Sequence, residues 1–248
     1  MISIDGRALN DSSPPLLIAE ISANHKKSLS RALKLVKMAA KAGFDAIKLQ
    51  TYEADKITLK SKKKDFQIRD KKSIWYKKNL YDLYKKGQTP KIWHKKIFHE
   101  AKKLGLIAFS TPFDLDSVKF LKKLKVPCYK ISSFEITYLD LIKECAKTKK
   151  PMIISTGLAK FSEIKKAISE IKKVGNNKII LLKCSSSYPA NPEDINLKTL
   201  LDLKKRFKLD VGLSDHTIGS EVAIASIPYG VKIIEKHITV NNKDGALD

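Results

Sequence analysis

The sequence predicts an α/β fold, a closed (β/α)8 barrel that lacks its last helix, on three observations. Eight short apolar runs rich in β-branched residues recur along the 248 residues, at 16–22, 45–50, 107–112, 128–133, 152–157, 179–186, 211–216 and 231–238. Lysine-rich amphipathic stretches separate most of them, and every run ends in polar residues. Near-continuous apolar runs indicate strands buried on both faces. Their alternation with helices indicates parallel strands joined by right-handed crossovers. Eight units favour closure over an open doubly wound sheet, and no GxGxxG follows any run.

The individual elements follow. Residues 28–42 form a clear helix, with Leu29, Ala32, Leu33, Val36, Ala39 and Ala40 on one face and lysines on the other. Residues 52–89 break the rhythm. This stretch is long, charged and carries Trp75, Tyr76, Tyr81 and Tyr84, so it is expected as an insertion after the second strand that either covers substrate or packs on the barrel's side. His94 and His99 fall on the next helix and are expected at the surface. Residues 162–174 form a further helix with Ser162 as its N-cap. Residues 239–248 carry no helical pattern, so the helix that would cover the eighth strand is expected to be missing.

Composition narrows the function classes. The net charge is +23, yet only Arg7, Arg31, Arg69 and Arg206 are arginines. Nucleic-acid readers lean on arginine for bidentate contacts, and here lysines are spread over nearly every helix. The expectation is a solvated basic surface that attracts anionic substrates rather than nucleic acid. Cys128, Cys145 and Cys184 are odd in number and widely spaced, which points to a reducing compartment. No signal-like N-terminus and no apolar run of about 18 residues is present, so no membrane partner and a cytoplasmic location are expected.

In parallel barrels the active site lies at the C-terminal ends of the strands, and these ends are rich in chemistry. Lys48 and Lys130, with Lys183 as a weaker candidate, supply positive charge; Ser133, Ser155, Ser186 and Ser214 supply hydroxyls. Together they suit a phosphorylated, carboxylated anion. His216 and His237 end neighbouring strands and suit a first-row divalent ion with positions left for substrate. Glu20 and Glu135 are the leading carboxylates for proton transfer or sugar hydroxyls, ahead of Asp114, Asp215 and Asp248. From the residues alone, a Schiff-base aldolase using Lys130 or Lys183 and a non-catalytic anion binder remain open. A two-carboxylate glycosidase would not need the lysine–serine ring.

The motifs IAEISANH, KLQTY, FSTPFD, YKISSFE, ISTG, LLKCSSSYP, VGLSDHTIG and IEKHIT occur in this order. Together they resemble the sialic acid synthase family of N-acetylneuraminate, legionaminate and pseudaminate synthases over nearly the whole chain. The resemblance implies a TIM barrel at residues 1–248 that condenses phosphoenolpyruvate with an N-acylated amino sugar and releases phosphate, using a divalent metal, typically Mn2+, with Mg2+ or Co2+ as alternatives. It assigns metal to His216 and His237. It assigns phosphoenolpyruvate to Lys48, Lys130, Ser133, Ser155, Ser186 and Ser214, and sugar contacts to Glu20, Gln50, Glu135 and Tyr188. Of these, Glu20, Glu135, His216 and His237 would be catalytic. SANH and the segment running from Asp65 to His94 resemble the pseudaminic acid synthases most, implying a 2,4-diacetamido-2,4,6-trideoxy-hexose acceptor, with N-acetylmannosamine as the alternative. Family members also carry a C-terminal antifreeze-like (SAF) domain, which caps the partner's site in a homodimer. No segment here corresponds to it, so the expectation is the barrel alone.

Overall fold

A computed structural model describes residues 1–71, 73 and 75–241. Ten strands and nine α-helices are present among them: β1 (Ile2–Ile4), β2 (Arg7–Leu9), β3 (Leu16–Glu20), α1 (Leu29–Lys41), β4 (Ala46–Thr51), α2 (Ala54–Ile57), α3 (Leu80–Gly87), α4 (Lys91–Lys103), β5 (Ile107–Pro112), α5 (Leu115–Lys123), β6 (Tyr129–Ile131), α6 (Leu139–Ala146), β7 (Met152–Ser155), α7 (Phe161–Lys173), β8 (Ile179–Cys184), α8 (Thr199–Phe207), β9 (Asp210–Asp215), α9 (Glu221–Ser226) and β10 (Ile233–His237).

Strands β3 to β10 are parallel and close into a barrel in sequence order, with β10 pairing both β9 and β3. Each of the eight apolar runs matches one of these strands, β4 and β9 each extending one residue beyond its run. The predicted (β/α)8 barrel is therefore the observed fold, and no helix follows β10 among the described residues. The short β1–β2 hairpin, which the runs did not reveal, turns at Asp5-Gly6, both with positive φ, as a tight two-residue hairpin requires. It places Ile2, Ile4 and Leu9 in the main hydrophobic core.

Side chains alternate across each strand, so one set fills the barrel and the other meets the helices. Ile18, Phe109, Ile153, Leu182 and Ile233 are all fully buried. They precede by two residues the polar positions at the barrel mouth, and so share their face. Gly212 fits this apolar layer because a Cβ there would lie 2.6 Å from both the Leu182 side chain and the Ile233 carbonyl. Outside, α1 buries Ala32, Leu35, Val36 and Ala39 and packs on α4. Ser28 caps α1, accepting the Arg31 N–H at 3.3 Å.

Two local expectations change. Helix α7 begins at Phe161, so Ser162 lies inside its first turn; its N-terminus is tied instead by Glu163, which accepts the Lys160 N–H at 2.7 Å. His94 is not at the surface. It shares the inner face of α4 with Ile97 and Ala101 and is fully buried against Thr51, Nε2 to Oγ1 2.7 Å. Burial without a nearby anion lowers its pKa to about 4, so it is a neutral core group. His99 is exposed, as expected.

Candidate active site

The polar ends of the strands converge inside the barrel mouth. At their centre lies a carboxylate that was not among the predicted site residues. Glu235 on β10 is buried between Lys48 of β4 at 3.5 Å and Lys130 of β6 at 3.6 Å, and it accepts the Ser214 hydroxyl at 2.9 Å. Lys48 also ion-pairs with Glu20 and reaches Thr111 Oγ1 at 3.3 Å. Lys130 donates to Ser155 Oγ at 2.7 Å. Five predicted residues, Glu20, Lys48, Lys130, Ser155 and Ser214, therefore form one buried network drawn from five strands.

The charges in this network are unequal. Burial opposes ionisation of Glu235, but Lys130 and Lys48 outweigh it and hold the carboxyl at about 2. Burial raises the Glu20 carboxyl; Lys48 opposes that rise and Glu235 adds to it. Lys48 stays above its ordinary value despite burial because Glu20 and Glu235 flank it. Burial pulls Lys130 down, with Glu235 offsetting only part of the fall. The cup thus holds two cations, one firmly ionised carboxylate and one carboxyl able to carry a proton. An incoming anion would meet lysines already positioned by internal partners.

Beside the lysines is a cradle of hydroxyls. Ser133 Oγ accepts the Gly157 N–H at 3.1 Å. A Cβ on Gly157 would lie 2.7 Å from Ser186 Oγ and 3.0 Å from both Ser133 Oγ and the Cys184 carbonyl. Only glycine leaves room for both serines there. Glu135, half-buried in the loop after β6, accepts the Ser132 hydroxyl, and burial raises its pKa. Gln50 lies two residues beyond Lys48 on β4 and so shares its face.

His216 and His237 lie with ring centroids 5.2 Å apart at 60°. His216 Nδ1–H donates to the Ser185 carbonyl at 2.6 Å, which leaves the Nε2 lone pair for a ligand. A backbone carbonyl fixing the other ring nitrogen in this way is the usual support for a metal-binding histidine. Burial, then the neighbouring His216, keeps His237 neutral, its pKa well below the ordinary value. Among the described residues no group of three or more His, Cys, Asp or Glu is placed to hold a metal. With His216 Nδ1 committed to Ser185, the pair would offer an ion two imidazole nitrogens and leave its other positions to water and substrate. Tyr188 covers the pair, 4.2 Å from His216 and 5.7 Å from His237, ring to ring. Cys184 Sγ lies 3.8 Å from His216 Nδ1; burial opposes ionisation of the thiol, but His216, Ser133 and Lys130 bring its pKa to about 7.

The lesser candidates have other work. Asp114 caps α5, accepting the Ser117 N–H and hydroxyl at 2.7 Å each. Asp215 accepts from Thr217 and pairs with Lys236 at 2.6 Å. Lys183 alternates with Cys184 away from the cup, and its Nζ donates to the Cys184 carbonyl at 3.1 Å. Asp248 lies outside the described residues. Glu235 was legible in principle, since alternation back from His237 puts it on the inner face. Cys184, whose spacing from the other cysteines speaks only to redox compartment, stands two residues before Ser186 on a strand that enters the site.

The mouth of this parallel barrel thus carries a lysine–serine cup beside two histidines. The chain belongs to the NeuB family, whose model matches residues 35–248. It is 45% identical to the pseudaminic acid synthase of Campylobacter jejuni over 91% of this chain and 65% of that protein. It is also 45% identical to the pseudaminic acid synthase of Helicobacter pylori over 92% of this chain and 66% of that protein. The chain thus spans just under two thirds of the length of these relatives. Among solved structures it resembles the N-acetylneuraminic acid synthetase of Leptospira borgpetersenii in complex with citrate, with a TM-score of 0.80 and 33% identity over 92% of this chain and 74% of that one. No helix among the described residues is long and apolar enough to cross a membrane.

Proposed function

We propose that this barrel condenses phosphoenolpyruvate with a 2,4-diacetamido-2,4,6-trideoxy-hexose, forming a nine-carbon sialic-acid-like sugar and releasing phosphate, as a pseudaminic acid synthase. The observation that carries the reading is the buried Lys48–Glu235–Lys130 bridge beside the His216–His237 pair. The 45% identity to two pseudaminic acid synthases supports the subfamily.

In this reading Lys48 and Lys130 neutralise the phosphate and carboxylate of phosphoenolpyruvate. Ser133, Ser155, Ser186 and Ser214 donate hydroxyl hydrogen bonds that fix its orientation. Tyr188, Gln50 and Glu135 face the acceptor sugar. A divalent ion, Mn2+ first among candidates, would be held by His216 and His237 and would supply Lewis acidity at the acceptor carbonyl. The new C–C bond joins C3 of phosphoenolpyruvate to that carbonyl carbon, and water adds at C2 before phosphate leaves with its bridging oxygen. Glu20, whose carboxyl pKa is raised by burial against the pull of Lys48, would exchange the proton these steps require. A cytoplasmic location and a homodimer belong to the same reading.

The test is phosphate release from phosphoenolpyruvate and Mn2+ with each candidate sugar. The expected result is release that depends on the diacetamido sugar. A lysine adduct trapped by borohydride with pyruvate, without any metal requirement, would favour a Schiff-base aldolase instead.

A further inference from the structure

The connection between β4 and α4 is far longer than the few residues such a link needs, and it is folded. Asn79 caps α3 by accepting the Tyr81 N–H at 3.0 Å, and its own amide donates to the Ser61 carbonyl at 2.7 Å. Its two ends are tied to each other, the Ala54 N–H donating to Gln88 Oε1 at 3.1 Å, and to the loop after β3, where His25 Nε2 meets Thr89 Oγ1 at 3.1 Å.

Two aromatic side chains from this segment pack on rings from other parts of the chain. Tyr84 packs edge-on against Tyr52 with centroids 6.1 Å apart, and burial, with the Glu135 carboxylate adding to it, raises its phenol pKa. Trp75 lies 6.0 Å from Tyr188. Tyr188 in turn lies 4.2 Å from His216. Trp75 therefore extends a row of rings that starts at the histidine pair and continues through Tyr188. A six-carbon acceptor whose carbonyl reacts at the histidines would, if it lay along Tyr188, bring its far end to the Trp75 ring.

Building on the proposed reaction, we infer that Trp75 is a specificity-determining residue that, with Tyr188, forms an apolar wall against the unhydroxylated terminal carbon of the acceptor. A methyl group gains from contact with such a wall, whereas a hydroxyl there must shed water without recovering a hydrogen bond.

The test compares the 6-deoxy diacetamido sugar with its 6-hydroxy counterpart in the wild type, Trp75→Ala and Trp75→Phe. Trp75→Ala is expected to lower kcat/KM for the 6-deoxy sugar about tenfold or more, mainly through KM, and to leave the 6-hydroxy sugar and the KM for phosphoenolpyruvate within about twofold. Trp75→Phe should keep most of the preference. A Trp75→Ala enzyme with the wild-type preference, or with equal losses on both sugars, overturns the inference. A second measurement is independent of turnover. The chain holds two tryptophans, so Trp93→Phe leaves Trp75 as the only indole. Its fluorescence should change saturably with the 6-deoxy sugar in the presence of inorganic phosphate, and an unchanged spectrum refutes the wall. If the wild type turns over no amino sugar, the proposed reaction fails, while this titration still decides the position of Trp75.

Discussion

Replacing Glu235 by glutamine tests the centre of the cup, because it removes one charge and almost no volume. Glu235 lies 3.5 Å from Lys48 and 3.6 Å from Lys130. At an effective dielectric constant of about 20, each pair carries about 4–5 kcal/mol of gross attraction. Desolvation cancels much of that in the intact network, but removal of one partner leaves Lys48 paired with Glu20 and Lys130 buried against the Ser155 hydroxyl. The expected net loss is about 3–5 kcal/mol of folding stability. That leaves a positive balance in any domain above the lower end of the ordinary range of roughly 5–15 kcal/mol. The assay is urea denaturation with and without inorganic phosphate. Phosphate returns the missing negative charge, so it should bind the variant about tenfold more tightly and stabilise it by about 1.4 kcal/mol more than the wild type. A loss under about 1 kcal/mol, or phosphate stabilising both proteins equally, would show that Glu235 does not hold the lysines.

Three further outcomes are expected. Gly157→Ala should weaken phosphate binding about tenfold, measured by calorimetry, with an unchanged far-ultraviolet spectrum, because its Cβ would displace the Ser133 and Ser186 hydroxyls. His216→Ala and His237→Ala should each lower Mn2+ affinity, read from the resonance of free Mn2+, by more than the roughly 10–100-fold that loss of an outer partner costs; unchanged affinity in both would sink the assignment. Acid should weaken the fold through His25 and His94, whose burial lowers both pKa values from 6.5 to about 4. Their stabilising neutrality is complete above the unfolded value and is lost as pH falls from about 6.5 to about 4, at about 1.4 kcal/mol per pH unit for each. Denaturation midpoints of His94→Gln should show a flatter slope across that window; an unchanged slope contradicts the reading.

The barrel was legible because its signals are local and repeated. Eight apolar runs can be counted, and strands buried on both faces write their apolar side chains consecutively. The cup was legible where residue type is costly to bury, since Lys48 and Lys130 at strand ends need partners. What escaped depended on facing direction. Glu235 and Lys236 are adjacent, but only Glu235 enters the cup, while Lys236 donates to Asp215 at 2.6 Å outside it. His94 escaped for the same reason in a helix, since its membership of the Ile97–Ala101 face decides its burial rather than its polarity. The reach of Trp75 to Tyr188 spans 113 positions of sequence and has no periodic signal at all.

Strand β10 shows why fold and site are hard to separate in this chain. Its alternation places Ile233, Glu235 and His237 inward in succession. Ile233 fills the apolar layer against Gly212, Glu235 bridges the two lysines, and His237 completes the histidine pair. The same strand closes the barrel, pairing His237 with Glu20 on one side and Glu235 with Ser214 on the other. A one-residue slip of β10 would turn Glu235 and His237 outward together and leave Lys48 and Lys130 without their shared carboxylate. The cost of burying those lysines therefore acts as a register constraint on the closing strand. The anion cup forms only when the barrel closes in the register that also brings His216 and His237 together.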